Sequence, residues 1–225
     1  MLHICLETHN FLEVLNNKKI KNIIFDLGGV IIDLDTSKTI DAFAEISGKS
    51  TQEVWQLATH DVFKQYEVGA IDDDTFRTEL KSLLHSDVSD KYLDKAWNAM
   101  IGEIRPSRLM NLKSIKSNYN TLILSNTNHI HINYVHDYLL KSHRMADFTT
   151  HVHKVYYSQM IGLRKPNKDI FEFTLEENNL KPEETLFLDD NVDNLKGASE
   201  VGIKVIKVEH PDDVPELLAN AGVEY

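Results

Sequence analysis

The sequence predicts a doubly wound α/β protein: a parallel sheet with helices on both faces and a separate helical block inserted after the first strand. Three observations predict it. Five short apolar runs each end in polar residues, the runs are apolar on consecutive rather than alternate positions, and helical patterns separate the last four of them. Strands that are apolar on both faces need helices on both sides, so strand alternating with helix implies parallel pairing in a Rossmann-like sheet. Ligands of such sheets sit beyond the carboxyl ends of the strands. The polar residues that end the runs are therefore the candidates for function.

The runs are KNIIFDL at 21 to 27, TLILSNT at 121 to 127, KVYYSQ at 154 to 159, TLFLDD at 185 to 190 and IKVIKV at 203 to 208. Helical patterns fall at about 129 to 141, 167 to 179 and 191 to 200. Between the first two runs the rhythm changes. Ile40, Phe43 and Ala44, then Val54, Leu57 and Ala58, then Tyr92, Ala96, Trp97 and Met100 follow helical spacing, and Ser50 with Glu53 has the pattern of a capping box. The division that follows is an N-terminal extension over 1–20, an α/β core over 21–36 and 104–225, and an all-helical cap over 37–103 lying above the active end of the sheet. Trp55 and Trp97 are expected in the core of that cap.

A chain of 225 residues can bury a core of its own, and 42% hydrophobic with 26% charged residues is ordinary for a folded soluble protein, which argues against disorder. The formal net charge of -11 works against the phosphate-neutralising surface that nucleic-acid binding needs. No run reaches the length that spans a bilayer. Cys5 is the single cysteine, so no intramolecular disulfide forms and a cytoplasmic location is expected. In the first 20 residues, Glu7 and Glu13 interrupt the apolar stretch and the basic residues follow it, the reverse of a secretory signal.

Each strand end admits a plain and a chemical reading. Asp26, beside Gly28 and Gly29, is either a turn former or a carboxylate presented to a ligand. Ser125 and Asn126 either cap the next helix or hold anionic oxygens. Lys165, before Pro166, is either solvated or a phosphate ligand. Asp189 and Asp190 are adjacent carboxylates that repel unless a proton or a cation intervenes, and Mg2+ is the hard cation suited to such oxygens. His129, His131, His136, His143, His151 and His153 straddle a helix, a loop and a strand without a ligand-type repeat. The stretch His60 to Glu67, ahead of Gly69, either faces the substrate or is a helix end and turn, the latter being preferred.

Taken in order, Asp, Ser, Lys and Asp-Asp at four strand ends resemble the four motifs of the haloacid dehalogenase superfamily. FDLGGVIIDLD, LSNTN, YSQMIGLRKP and FLDDNVDN are most similar to its bacterial sugar-phosphate phosphatases, the glucose-1-phosphate type in particular. The helical block falls where one class of that superfamily inserts its cap. The resemblance implies a Mg2+-dependent phosphatase acting on a small phosphorylated metabolite as a monomer or homodimer. Asp26 would be the nucleophile that becomes an aspartyl phosphate. Asp26, the Gly28 carbonyl and Asp190 would hold Mg2+, with Asp189 as an inner or outer ligand. Ser125, Asn126 and Lys165 would bind phosphate, and Asp193 and Asn194 would orient this shell.

One departure matters. Most phosphatases of the superfamily carry a second Asp two residues after the nucleophile, as acid and base, and here that position is Gly28. Asp33 and Asp35 are near in sequence. Without a general acid, efficiency is expected to fall as the leaving alkoxide becomes more basic, so anomeric phosphates should outrank primary-alcohol phosphates. A 2-haloacid dehalogenase also uses an Asp nucleophile and lacks the second Asp, but it needs no metal, which would leave Asp189 and Asp190 an uncompensated pair close to Asp26, and this argues for the phosphatase. A phospho-ligand binding protein without turnover is the other reading.

Overall fold

The computed structural model describes residues 19–225, so the N-terminal extension lies almost wholly outside the described residues. The chain enters the sheet at β1 (Asn22–Phe25) and leaves it at once for five helices: α1 (Thr36–Ser47), α2 (Thr51–Leu57), α3 (Asp61–Glu67), α4 (Asp73–Leu84) and α5 (Asp90–Trp97). It returns through α6 (Pro106–Lys116), β2 (Asn120–Ser125), α7 (His129–His143), β3 (Lys154–Tyr157), the single turn α8 (Ser158–Ile161) and α9 (Lys168–Glu177). It ends with β4 (Thr185–Asp189), α10 (Val192–Glu200), β5 (Lys204–Lys207) and α11 (Val214–Asn220). All strand pairs are parallel, in the order β3-β2-β1-β4-β5. The order reverses between β1 and β4, where a crevice opens at the carboxyl ends.

Alternate residues of the central strands feed two cores. Ile23 and Phe25, Ile123, and Leu186 and Leu188 pack with α6, α7 and α11 on one face, while Ile24, Leu122, Leu124 and Phe187 pack with α9 and α10 on the other. That is why β1 and β4 are apolar at consecutive positions and wholly buried, whereas the edge strand β5 alternates between half-buried and exposed. The helices begin where the sequence offers a cap. Asn128 accepts from the His131 N–H ahead of α7, and Asn191 from the Asp193 and Asn194 N–H groups ahead of α10. Ser50 and Glu53 make the expected reciprocal capping box. Asn167, one residue beyond Pro166, is the N-cap of α9. No helix among the described residues is long and apolar enough to cross a membrane.

The helical block has a core of its own, built from Phe43, Val54, Phe76, Leu80, Leu84 and Leu93, to which Ile130 of α7 contributes from below. Its most regular stripe, Phe76, Leu80 and Leu84 on α4, was not among those singled out from the sequence. Two expectations are corrected here. Trp55 is 59% exposed: on the short α2 only Val54 is buried, and the next residue lies about 100° further round the helix. On α5 it is Leu93 and Ala96 that are buried, while Tyr92 is 43% exposed. Trp97 is packed as expected, against Phe43, Phe63 and Phe76.

The block joins the sheet through two strands that are bonded to one another. Leu34 bridges Ile101 in antiparallel fashion, the Asp33 N–H donates to the Glu103 carbonyl at 3.0 Å, the Gly102 N–H to the Asp33 carbonyl at 2.8 Å, and the Asp35 N–H to the Met100 carbonyl at 2.9 Å. On the far side the block rests on the sheet's loops. Tyr66 Oη accepts from the Ile130 N–H, one of the first-turn donors that α7 cannot satisfy internally, and donates to Asp73. Gly69 has φ +68°, and a Cβ there would lie 2.3 Å from the Gln159 carbonyl oxygen, so the turn after α3 can seat on α8 only as glycine.

Candidate active site

A cavity of about 650 Å3 lies between the carboxyl end of the sheet and the helical block. Asp26, Ser125 and Lys165 line its floor, with Asp190 and Asn194 at one side. Asp26 follows β1 directly, its N–H continuing the ladder to the Leu188 carbonyl at 2.8 Å, so its position is fixed by sheet pairing. Lys165 is 1% exposed and its ammonium bridges two carboxylates, Asp26 Oδ1 at 2.8 Å and Asp189 Oδ2 at 2.7 Å. The Phe187 ring lies under the same ammonium, 5.1 Å from its centroid.

The electrostatics of this trio follow from burial and charge. Burial pushes the Asp26 carboxyl up to about 7, against the pull of Lys165 and with the repulsion of Asp189. Burial alone would lower Lys165, but its two carboxylate partners outweigh it and the pKa is raised, so the ammonium stays charged. Asp189, fully buried, also accepts from Asn194 Nδ2 on both carboxylate oxygens at 3.1 Å and from the Asn191 N–H at 2.8 Å. Asn194 thus orients the acidic pair. Partial burial and its neighbour Asp189 raise the pKa of Asp190, against a backbone hydrogen bond and the pull of Lys165 and Lys207. The repulsion that the sequence assigned to the pair is felt at Asp190.

Carboxylate oxygens of Asp26, Asp189 and Asp190 all lie within 4.8 Å of one another. Such a hard oxygen set fits Mg2+. The turn beside them is shaped for close approach: Gly29 has φ +73°, and a Cβ there would lie 2.5 Å from Asp190 Oδ2. Gly29→Ala is expected to lose about 1–2 kcal/mol of stability from the left-handed backbone alone. Displacement of Asp190 adds to that loss. Urea denaturation in the presence of a chelator measures it, and an unchanged midpoint would contradict the packing described.

Ser125 lines the cavity and caps nothing, because Asn128 takes that duty. Asn126 uses its side chain elsewhere: its amide donates to the Lys165 carbonyl at 2.8 Å and accepts from the Lys165 N–H at 2.9 Å, a reciprocal clamp that fixes the lysine's backbone. Ser158, wholly buried, clamps Thr127 in the same way from the start of α8, accepting from its N–H and donating to its carbonyl. Neither clamp could be read from the sequence, since both depend on the β2 and β3 loops lying side by side.

The opposite wall holds residues that sequence reasoning set aside. Trp97 and His131 stack with ring centroids 4.6 Å apart, and both line the cavity. His131 Nδ1 lies 2.8 Å from Asn98 Oδ1, and burial lowers the imidazole to about 3, so it is neutral with its proton directed at Asn98. Glu67, at the end of α3, reaches the cavity, which favours the substrate-facing reading of 60 to 67 over the helix end and turn preferred from the sequence. Asp33 and Asp35 do not reach it: Asp33 pairs with the buried Arg108 at 2.7 Å, and Asp35 is the N-cap of α1. The histidines of 129 to 153 diverge to separate partners, His129 to Asp73 and His153 to Thr121 among them.

Residues 20–202 match the sequence profile of the haloacid dehalogenase-like hydrolases. A D-ribitol-5-phosphate phosphatase of Bacteroides thetaiotaomicron is 28% identical over 86% of this chain and 94% of its own length. A haloacid dehalogenase family enzyme of the same bacterium, solved as a magnesium complex, superposes with a TM-score of 0.81 at 32% identity, over 89% of this chain and 99% of that one. It has also been solved with magnesium and inorganic phosphate together. A HAD-like family hydrolase of Porphyromonas gingivalis gives a TM-score of 0.79 at 29% identity, over 92% of this chain and 100% of that one.

Proposed function

The chain belongs to the haloacid dehalogenase-like hydrolase family, and on that premise we propose that it is a Mg2+-dependent phosphatase that turns over a small sugar or sugar-alcohol phosphate through an aspartyl phosphate on Asp26, with the helical block as its cap. One observation carries the reading: a buried lysine bridges the strand-end Asp26 and Asp189 at the floor of a cavity beneath the helical block, with Asp190 beside them. Names of relatives support the substrate class. The ribitol-phosphate enzyme acts on a primary-alcohol phosphate of an acyclic polyol, which favours that kind of ester over the anomeric phosphates expected from the sequence. The cavity volume suits a ligand of pentose size.

In this reading Asp26, held in line by β1, attacks phosphorus and displaces the alcohol, dividing one difficult hydrolysis into two displacements. Lys165 holds one phosphoryl oxygen, and its charge opposes the growing negative charge of the transition state. Ser125 and the Asn126 N–H hold the others from the loop after β2. Mg2+ bound by Asp26, the Gly28 carbonyl and Asp190, with Asp189 behind them, would supply the charge that lets a carboxylate approach a phosphate dianion. Asn194 keeps Asp189 turned towards Lys165 in either case.

The expected result is Mg2+-dependent release of phosphate from a polyol phosphate, silenced by excess chelator. Asp190→Ala is expected to raise the Mg2+ concentration needed for half activity by about 10- to 100-fold, with rescue at high metal. A titration of activity against Mg2+ for both proteins is the measurement. Full activity in chelator would overturn the metal assignment and favour the dehalogenase chemistry, for which Asp189 is already matched by Lys165.

A further inference from the structure

Gly28 leaves the phosphatase reading without its usual proton donor, and Asp33 and Asp35 are committed elsewhere. Among the described residues, the carboxyl side chains that line the cavity are Asp26, Glu67, Asp190 and Asp193. Asp26 is the attacking group. Asp190 leans on the Gly28–Gly29 turn, and Asp193 is an exposed residue of the first turn of α10, three residues beyond it. Both stand on the side of the cation, away from a departing alcohol. His131 cannot donate, because its one ring proton faces Asn98.

Glu67 is differently placed. It enters from the cap, opposite the sheet, and its Oε2 accepts a hydrogen bond from Arg164 Nε at 3.0 Å and pairs with Arg164 Nη2 at 2.9 Å. Its Oε1 has no hydrogen bond among the described residues. A carboxyl fixed by one oxygen and open at the other is the arrangement a proton carrier needs. Burial raises its pKa, against the pull of Arg164, Lys165 and Lys64. Arg164 precedes Lys165 in sequence, so the group that fixes Glu67 belongs to the loop that carries the phosphate-binding lysine. Glu67 therefore takes its place only with the cap seated.

We propose that Glu67 is the general acid and base of the reaction, donating a proton from Oε1 to the leaving oxygen and recovering one from the water that opens the aspartyl phosphate. The proposal rests on the phosphatase reading. In the first step the bond from Asp26 to phosphorus forms, the ester P–O bond breaks, and the alkoxide leaves as an alcohol with the proton of Glu67. In the second, water oxygen bonds to phosphorus, the Asp26–phosphorus bond breaks, and the water's proton returns to Glu67 as phosphate is released. Arg164 is a positioning residue. With Glu67 in this role the wild type has little dependence on leaving-group basicity, and the steep dependence expected from Gly28 alone belongs to the variant that lacks the acid.

The test compares wild type and Glu67→Gln, both with Mg2+, on 4-nitrophenyl phosphate and on an alditol phosphate, in single-turnover and steady-state modes. Glu67→Gln is expected to lose about 10²- to 10⁴-fold in single-turnover cleavage of the alditol phosphate and less than about tenfold in first release of nitrophenolate, which needs no proton. With the aryl ester it should give a burst of one nitrophenolate per site and then slow turnover, because the second step still lacks its base. Equal losses on the two esters, or absence of the burst, would overturn the proposal. Should Glu67→Gln fail to fold, Arg164→Lys must show the same split between esters to a smaller degree, and an equal loss there overturns it as well. An inactive wild type would instead sink the phosphatase reading itself.

Discussion

Asp26→Asn is expected to reduce turnover by about 10⁴- to 10⁶-fold, the scale on which covalent catalysts fail when their nucleophile is removed. The amide matches the carboxylate in shape but cannot attack phosphorus. Folding should survive, because Lys165 keeps Asp189 as a partner at 2.7 Å and the substitution removes a carboxyl whose pKa burial already pushes up to about 7. Steady-state rates with saturating Mg2+, together with the mass of the protein trapped during turnover, measure the effect. Retention of more than about one per cent of activity, or a phosphorylated variant, would remove Asp26 from its role.

The second large effect is on the fold. Lys165→Met keeps the length of the side chain but leaves Asp189, fully buried, and Asp26, 9% exposed, facing each other without a cation. Breaking a buried ion pair by removing one partner costs about 3–5 kcal/mol, so the variant should unfold at markedly lower denaturant in the presence of a chelator. The sign of its pH dependence follows. Without the ammonium, the strongest pull against burial is gone, and the Asp26 carboxyl, already raised above its unfolded value, rises further. Raised groups contribute stability at low pH and lose it as pH rises through the folded pKa, so the deficit of the variant should be larger at pH 8 than at pH 5. Urea denaturation of both proteins at the two pH values, without metal, decides it. A deficit that is equal at both, or larger at pH 5, would show that Lys165 is held by something other than charge.

The sheet and its catalytic edge were legible because a parallel strand buried on both faces announces itself as an unbroken apolar run, and the residue where the run stops is where a ligand can be met. Asp26, Ser125 and Asp189 stand out in that way, whereas Lys165, also read as a strand end, lies beyond the turn α8 that follows β3; one cavity holds it with Asp26 and Ser125, and Asp189 is bonded to it. The cap was legible as helices but not as a wall. A periodic stripe gives the buried face of a helix and says nothing of which way its ends point, so Glu67 at the end of α3 and Trp97 at the end of α5 were read as packing or turn. Trp55 failed for a related reason: its size suggested burial, yet α2 is too short to bury more than Val54. The Asn126 amide was hidden because its partner, the Lys165 backbone, is 39 residues away in sequence.

The ribbon at Leu34 and Ile101 brings the two ends of the helical block within one hydrogen-bonded rung of each other. To the core, the whole excursion from Asp33 to Glu103 is a hairpin whose loop happens to contain five helices. The entropy of closing a loop grows only with the logarithm of its length, by about 0.6 kcal/mol for each doubling, so the core is nearly indifferent to how much chain is carried there. A change in the length of the helical block therefore costs the core little, and Asp26, Lys165 and the Asp189–Asp190 pair stay where the sheet puts them. On the proposed reading Glu67 is the one proton carrier that travels with that loop, so the acid and the upper wall of the cavity change together.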